Sequence, residues 1–408
     1  MTRPRTAATT SPDSPFPFPQ AEPLARELQA LKARLEADTS VEDLRHIQKL
    51  SLWGRLCAVL GYATAWWMPN PLSAFLIAQG ATARWTLMAH HVLHRGYERV
   101  PGGAPAWREK TFARGWRRLV DWLDWIHPSA WSHEHNILHH GHTGELKDPD
   151  LVERRMKWLR HSRLPMALRY VIVLVFACTW KVAYYAPSTF LEWRWAKNRP
   201  SFMDDEDGPF WLHKAFDPRT VEGRAFWWHC LLPYASVRFV LLPLLFLPLG
   251  RWAALSVLLN TVLAEVITNI QSFALIVPNH AGEDLYRFHG RAHNHAEFCV
   301  RQILGSTNYT TGGDVVDFLH GGLNYQIEHH LWPTLSLLQL QRAQPRVQAL
   351  CAQYGVPYVQ ENLWRRMRKL LDIAVGRSSM RTLTPGAEDR PEPEPALFIP
   401  AASPQSPP

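Results

Sequence analysis

The sequence predicts an all-α membrane protein: two transmembrane helical hairpins, about four spanning helices, under a cytoplasmic helical cap. Three observations predict it: apolar runs near spanning length, basic residues gathered on one side of them, and three histidine clusters that have to meet. Mean hydropathy is −0.21 over 408 residues, 47% of them hydrophobic, which taken alone reads as a soluble protein. The average misleads because polar tails dilute concentrated apolar runs. Residues 1–23 and 377–408 are rich in Pro, Ser and Thr. They bury too little apolar surface to offset their ordering entropy, so both are predicted to be disordered tails around one membrane domain, 24–376.

Taken in order, residues 21–48 read as helix, with Leu24, Leu28, Leu31 and Leu35 at three- and four-residue spacing. Ser40 followed by Asp43 marks the start of a new helix. Two apolar runs follow, 52–68 and 72–89, separated by Pro69-Asn70-Pro71. Each barely reaches the roughly 17–25 residues that a span needs. Their linking turn has no Lys or Arg, whereas Lys32, Arg34, Arg45 and Lys49 precede them. The positive-inside rule therefore puts the N-terminus and His90 in the cytoplasm. Residues 91–167 are polar and basic and carry Trp107, Trp116, Trp122, Trp125 and Trp131, a composition suited to a membrane interface. The run 168–186 is apolar but contains Lys181. Runs 231–249 and 252–278 form the strongest apolar pair, joined by Gly250-Arg251. After Pro333 comes a helix, then a basic amphipathic stretch, Leu363 to Leu371, read equally as a solvated face or a membrane-surface helix.

The formal net charge is +8 and the pI about 9.3. Nucleic acid is one partner class for such a chain, but here Lys and Arg flank apolar segments, which suits a membrane face and excludes no lipid substrate. The five Cys are scattered with no CxxC pair, against a disulfide framework or a zinc ribbon. The N-terminus has no apolar leader segment.

The 20 His are clustered. One group is His90, His91 and His94; a second is His133, His135, His139, His140 and His142; a third is His329 and His330, with Gln326 three residues ahead. On a helix, His90 and His94 point the same way, as do His135 and His139, while His140 is rotated by about 100°. Imidazole suits iron, copper, nickel and zinc. One tetrahedral zinc takes four ligands, so this many His points to two metals. Zinc-protease patterns fail: His133-Glu134-His135-Asn136-Ile137 ends in Ile, and the reversed motif needs His where Tyr325 stands.

These strings resemble the three histidine boxes of membrane fatty acid desaturases: His90-His91-Val92-Leu93-His94; then His135-Asn136-Ile137-Leu138-His139-His140 with Asp148-Pro149-Asp150 behind it; then Gln326-Ile327-Glu328-His329-His330 within residues 321–333. The third is similar to the acyl-lipid and front-end members, in which Gln replaces the first His. The resemblance covers roughly residues 52–361. It implies metal ligation by His90, His94, His135, His139, His140, His280, His329 and His330, with Gln326 and His91 as further candidates. His142 and His320 lie near the boxes but off the pattern. It also implies a di-iron centre, O2 as co-substrate, and insertion of a double bond into a fatty-acyl chain, the third box favouring a glycerolipid substrate. The same boxes serve related lipid hydroxylases, epoxygenases and sphingolipid-modifying enzymes. A membrane metal carrier is the reading from another class, and it expects His along the spans near the midplane. Pro101-Gly102-Gly103 follows Val100, so the haem His of a fused cytochrome b5 domain is missing and an external donor, ferredoxin-like or cytochrome b5-like, is expected.

Metal–His bonds of about 2 Å require all boxes on one side of the bilayer. Of the three runs between His140 and His329, one must not cross; 168–186 is assigned as interfacial or re-entrant, because Lys181 is costly at the bilayer centre. Both termini then lie in the cytoplasm. Carboxylates expected to orient ligand rings are Glu134, Asp148, Asp150, Glu265, Asp314 and Glu328, with Glu265 set apart by its place inside an apolar run.

Overall fold

The computed structural model describes residues 16–196 and 212–383, and these are almost entirely helical. Helix α1 (Ala21–Ala37) buries the predicted stripe Leu24, Leu28, Leu31 and Leu35. The stripe packs against two later helices. Its first turn, together with Phe16 and Phe18 against the core, lies inside the stretch read from composition as tail. Those few apolar residues have a partner surface, which composition does not register. At the other end Met380 is fully buried and Arg381 N bonds Leu285 O at 2.8 Å, so part of the second tail also belongs to the fold. The remaining tail residues fall outside the described chain.

Helix α2 (Val41–Ala65) starts where Ser40 and Asp43 predict, with Ser40 N donating to Asp43 Oδ2 at 2.8 Å. It packs along α3 (Pro71–Thr82), whose first turn is capped by Asn70. From α3 the chain continues as a π-helical stretch, Ala83–Ala89, into the turn His90–Leu93. The same device recurs: α4 (Pro128–His133) passes into a π-helical stretch, Glu134–His139, and then His140–His142. Wider π turns inside helices are rare and gather at functional sites.

The apolar run with Lys181 is not a straight span. Helix α5 (Met166–Ala177) and the segment Lys181–Trp195, whose second part is α6 (Ala186–Trp195), are bent by 82° at a short break. The bend is pinned by polar contacts: Trp180 Nε1 donates to Asn269 O at 2.8 Å, Lys181 N to Asn269 Oδ1 at 2.9 Å, and Lys181 Nζ pairs with Asp124 at 2.7 Å. Among the described residues two helices are long and apolar enough to cross a membrane, α7 (Val221–Leu249) and α8, which runs Arg251–Ile276 and extends to His280; the bent pair makes a third if counted as one span. The α2–α3 pair falls outside that count, although it exposes Leu52, Leu56 and Val59 and, in its turn, Trp67.

The later helices include α9 (His295–Leu304), α10 (Gln326–Leu331), α11 (Leu337–Tyr354) and α12 (Leu363–Ala374). Two short strands, β1 (Asn308–Tyr309) and β2 (Gln360–Glu361), pair in parallel and tie the start of α12 to the segment before the third box.

Candidate metal centre

The distant histidine boxes meet in two buried groups made of histidine alone. In the first, ring nitrogens of His90, His94, His135 and His329 all lie within 4.8 Å of one another. In the second, those of His139, His280 and His330 do. His140 stands between, its ring centroid 4.6 Å from His94, 4.8 Å from His329 and 4.3 Å from His330. The sequence places His135 and His139 on one helix face, and their rings do lie near-parallel, 5.2 Å apart. Each belongs to a different all-histidine group, and the two also come together with Asp150, their ligand atoms within 4.8 Å of one another; the stretch carrying them is a π-helix rather than the α-helix assumed from spacing.

The chain reverses sharply before the third box. Gly321 and Gly322 have φ of 65° and 73°, and a Cβ on Gly321 would lie 2.3 Å from Thr86 Oγ1. Glycine alone tolerates both the left-handed backbone and this approach to the π stretch that leads to His90.

Hydrogen bonds fix the rings of the second group. His139 Nδ1 bonds Asp148 Oδ1 at 2.8 Å, His280 Nδ1 bonds Gly305 O at 3.2 Å, and His330 Nδ1 bonds Gln302 Oε1 at 2.9 Å. Each of these contacts orients its ring through Nδ1 and turns Nε2 toward the others. Accordingly His139 Nε2 and His330 Nε2 stand 3.2 Å apart, and His280 Nε2 is 3.2 Å from the Gln326 side-chain amide. In the first group His90 Nε2 is 3.1 Å from His135 Nε2. His94 Nε2 and both nitrogens of His140 and of His329 are buried without a hydrogen-bond partner. Each such atom costs about 1–3 kcal/mol that a metal bond would offset. The donor set therefore fits two metal ions, one per group.

The electrostatics agree. Burial, then the neighbouring rings, holds His135, His140 and His330 well below the ordinary histidine range, so they are neutral and able to ligate. Burial also disfavours charge on His139, but Asp148, Asp150 and Glu134 outweigh it and push the ring up to about 9. That acidic side favours positive charge at the second group.

The other predicted residues separate. Asp150 lies 3.4 Å from His139 Nδ1. Glu134 accepts from Tyr185 OH at 3.1 Å. Glu328 is held by Asn308 Nδ2 at 2.7 Å and Tyr358 OH at 2.8 Å, and burial pushes it up to about 7. His91 is buried with both nitrogens unpartnered, 5.0 Å from the His90 ring by centroids, but joins neither group. Glu265 is not brought to the histidines: it accepts from Trp125 Nε1 at 2.6 Å and Tyr234 OH at 2.7 Å. Asp314 pairs with His46 and Lys49 instead. His142 pairs with Glu145, and His320 bonds its own helix at Val316 O. Sequence reasoning missed Gln302 and Thr143, which bond His330 Nδ1 (2.9 and 3.1 Å), and Trp131, whose ring stacks on His135 at 4.5 Å. No spacing pattern marks them.

A largely apolar cavity of about 340 Å³ lies at the bend after α5, close to the site through Asp150. Ile172, Phe176, Trp180, Tyr184, Phe273 and Val277 line it, and its wall includes Asp150 and Tyr185.

The site thus combines buried histidine groups able to hold metal with an apolar cavity, in a helical fold with membrane-length helices. The fatty acid desaturase family pattern matches residues 65–362, and the protein belongs to that family and is an oxidoreductase. It is 24% identical over 390 residues to an NADPH-dependent stearoyl-CoA 9-desaturase of Mycobacterium tuberculosis, covering 86% of this chain and 79% of that protein. It is 28% identical to an acyl-lipid (7-3)-desaturase of Rebecca salina over 62% of this chain and 55% of that one. A shorter stretch, 61 residues or 15% of this chain and 14% of the relative, is 46% identical to a Delta(8)-fatty-acid desaturase of Euglena gracilis.

Proposed function

We propose that the protein is an O2-dependent acyl desaturase with two irons, one held by His90, His94, His135 and His329 and the other by His139, His280 and His330. His140 lies between the two, and Gln326 serves the second as ligand or as partner to His280. The carrying observation is the set of three Nδ1 hydrogen bonds that orient His139, His280 and His330 so that their Nε2 atoms converge. Bound iron supplies the oxidising chemistry that removes two hydrogens from an unactivated chain, which side chains alone cannot do.

The chain's own residues supply position and dryness. The cavity is of the size and lining that bury an apolar ligand. Its aromatic wall, Phe176, Trp180, Tyr184 and Phe273, excludes water and fixes how deep an acyl chain runs. Asp148 and Asp150 hold His139 in one tautomer beside that cavity. The mycobacterial and algal relatives are named for acyl-CoA and acyl-lipid substrates respectively; the third box supports a lipid-linked acyl group here. Electrons come from an external donor, ferredoxin-like or cytochrome b5-like, steered by the basic surface.

For topology, α7 and α8 form one membrane hairpin and α2–α3 the other, giving four spans. The α5–α6 bend re-enters without crossing, and both termini and the metal site lie in the cytoplasm. Expression in a desaturase-deficient host followed by lipid analysis tests the function. New double bonds are expected, and none with His139→Ala; new oxygenated acyl groups or only altered metal content would refute it.

A further inference from the structure

His280 is the one proposed ligand supplied by the end of a membrane-length helix, and its backbone is not held by a histidine box. Helix α8 ends in the tight turn Val277–His280. The last carbonyls of any helix lack partners within it. Here a distant side chain meets them. Arg366, from α12, has a fully buried side chain, and its Nη2 donates to Ala281 O at 2.8 Å and to Pro278 O at 3.2 Å. Its Nη1 grips both oxygens of Asp284, at 2.7 and 2.9 Å. Lys369 Nζ completes the cluster on Asp284 at 2.8 Å and Glu361 at 2.7 Å. The guanidinium thus bridges the residues on either side of His280, and a side chain on Gly282 would collide with it, 2.5 Å from Nη2.

We propose that Arg366 is a positioning residue for the second metal centre: with Asp284 it clamps the Pro278–Ala281 backbone and thereby aims His280. This rests on the two-iron reading above and adds a residue more than 80 positions along the chain from the ligand it serves. The physics favours arginine specifically. A planar fork can serve two carbonyls and a carboxylate at once, whereas an ammonium is a single point donor. Ligands must be held within about 0.5 Å for a metal site to keep its affinity. The ring itself is held at Nδ1 by Gly305 O and has the Gln326 amide at Nε2, while the turn has Thr307 N on Asn279 O at 3.0 Å. Released carbonyls would let the turn relax while the four-histidine group, on other elements, stays put.

The test uses the full chain purified in detergent with 57Fe, titrated with an iron chelator and read by iron per chain and by Mössbauer spectra. Arg366→Lys and Arg366→Met are compared with Arg365→Met, an exposed neighbour on the same helix. The wild type and Arg365→Met should keep two irons together. Both Arg366 variants should lose one iron at about 10–100-fold lower chelator concentration, the range for removing a support behind a ligand, leaving folded protein with a one-iron spectrum. Asp284→Asn, which keeps the arginine but removes its counter-charge, should shift the same iron in the same direction. Retention of both irons at the wild-type chelator concentration in Arg366→Lys would overturn the proposal. Loss of both irons in step with unfolding would overturn it too, assigning Arg366 to stability alone. A wild type that binds no iron would instead sink the two-iron reading, and that is seen before any variant is made.

Discussion

Lys181 offers the sharpest test of how the fold is held. Its ammonium is fully buried, 2.7 Å from Asp124 and 4.8 Å above the Trp85 ring. Asp124 is itself only 3% exposed and otherwise accepts from Ile126 N at 3.2 Å. Lys181→Met keeps the side-chain volume but strands the carboxylate. Breaking a buried pair in this way costs about 3–5 kcal/mol, and the lost cation–π contact adds about 0.5–2 kcal/mol. Removing both charges, Lys181→Met with Asp124→Leu, should return stability to within about 1 kcal/mol of wild type, because apolar replacement of a buried pair is often neutral. Equilibrium unfolding in mixed micelles over the four proteins of this cycle measures the coupling. A single variant within about 1 kcal/mol of wild type, or a double variant no better than the single, would refute the claim that this pair pins the 82° bend.

Other outcomes follow from the site. Asp148→Asn should weaken metal binding about 10–100-fold, seen as earlier iron loss to a chelator, because a neutral amide no longer stabilises the His139 tautomer as a carboxylate does. Glu265→Ala should destabilise by about 1–3 kcal/mol for each stranded donor, Trp125 and Tyr234, with iron content unchanged. Gly321→Ala should cost about 1–3 kcal/mol from the left-handed backbone alone, more with the Thr86 clash, and should lower the iron content of what folds.

Much of the site is legible in the sequence because ligand chemistry needs particular residue types at helical spacing. The boxes and His280 all arrive at one place, and Lys181 marks the segment that does not run straight. What spacing hides is local geometry. His135 and His139 enter different all-histidine groups and also meet each other with Asp150 on a π-helical turn, an arrangement that i, i+4 periodicity does not express. Glu265 looks functional inside an apolar run, yet two aromatic donors satisfy it within the helix bundle. The basic stretch after Leu363 reads as a surface helix; it does leave Trp364 80% exposed, but turns Arg366 inward to carbonyls more than 80 residues away. Gln302 and Thr143 carry no pattern at all, since their role exists only once α9 packs against α10.

The central claim, that separated histidine boxes share a pair of irons, is tested most directly by counting metal in active protein. Two irons per chain are expected in the purified wild type, with the count and turnover both falling in His139→Ala and His330→Ala. Turnover by protein that contains no iron, or turnover that survives both substitutions, would contradict it.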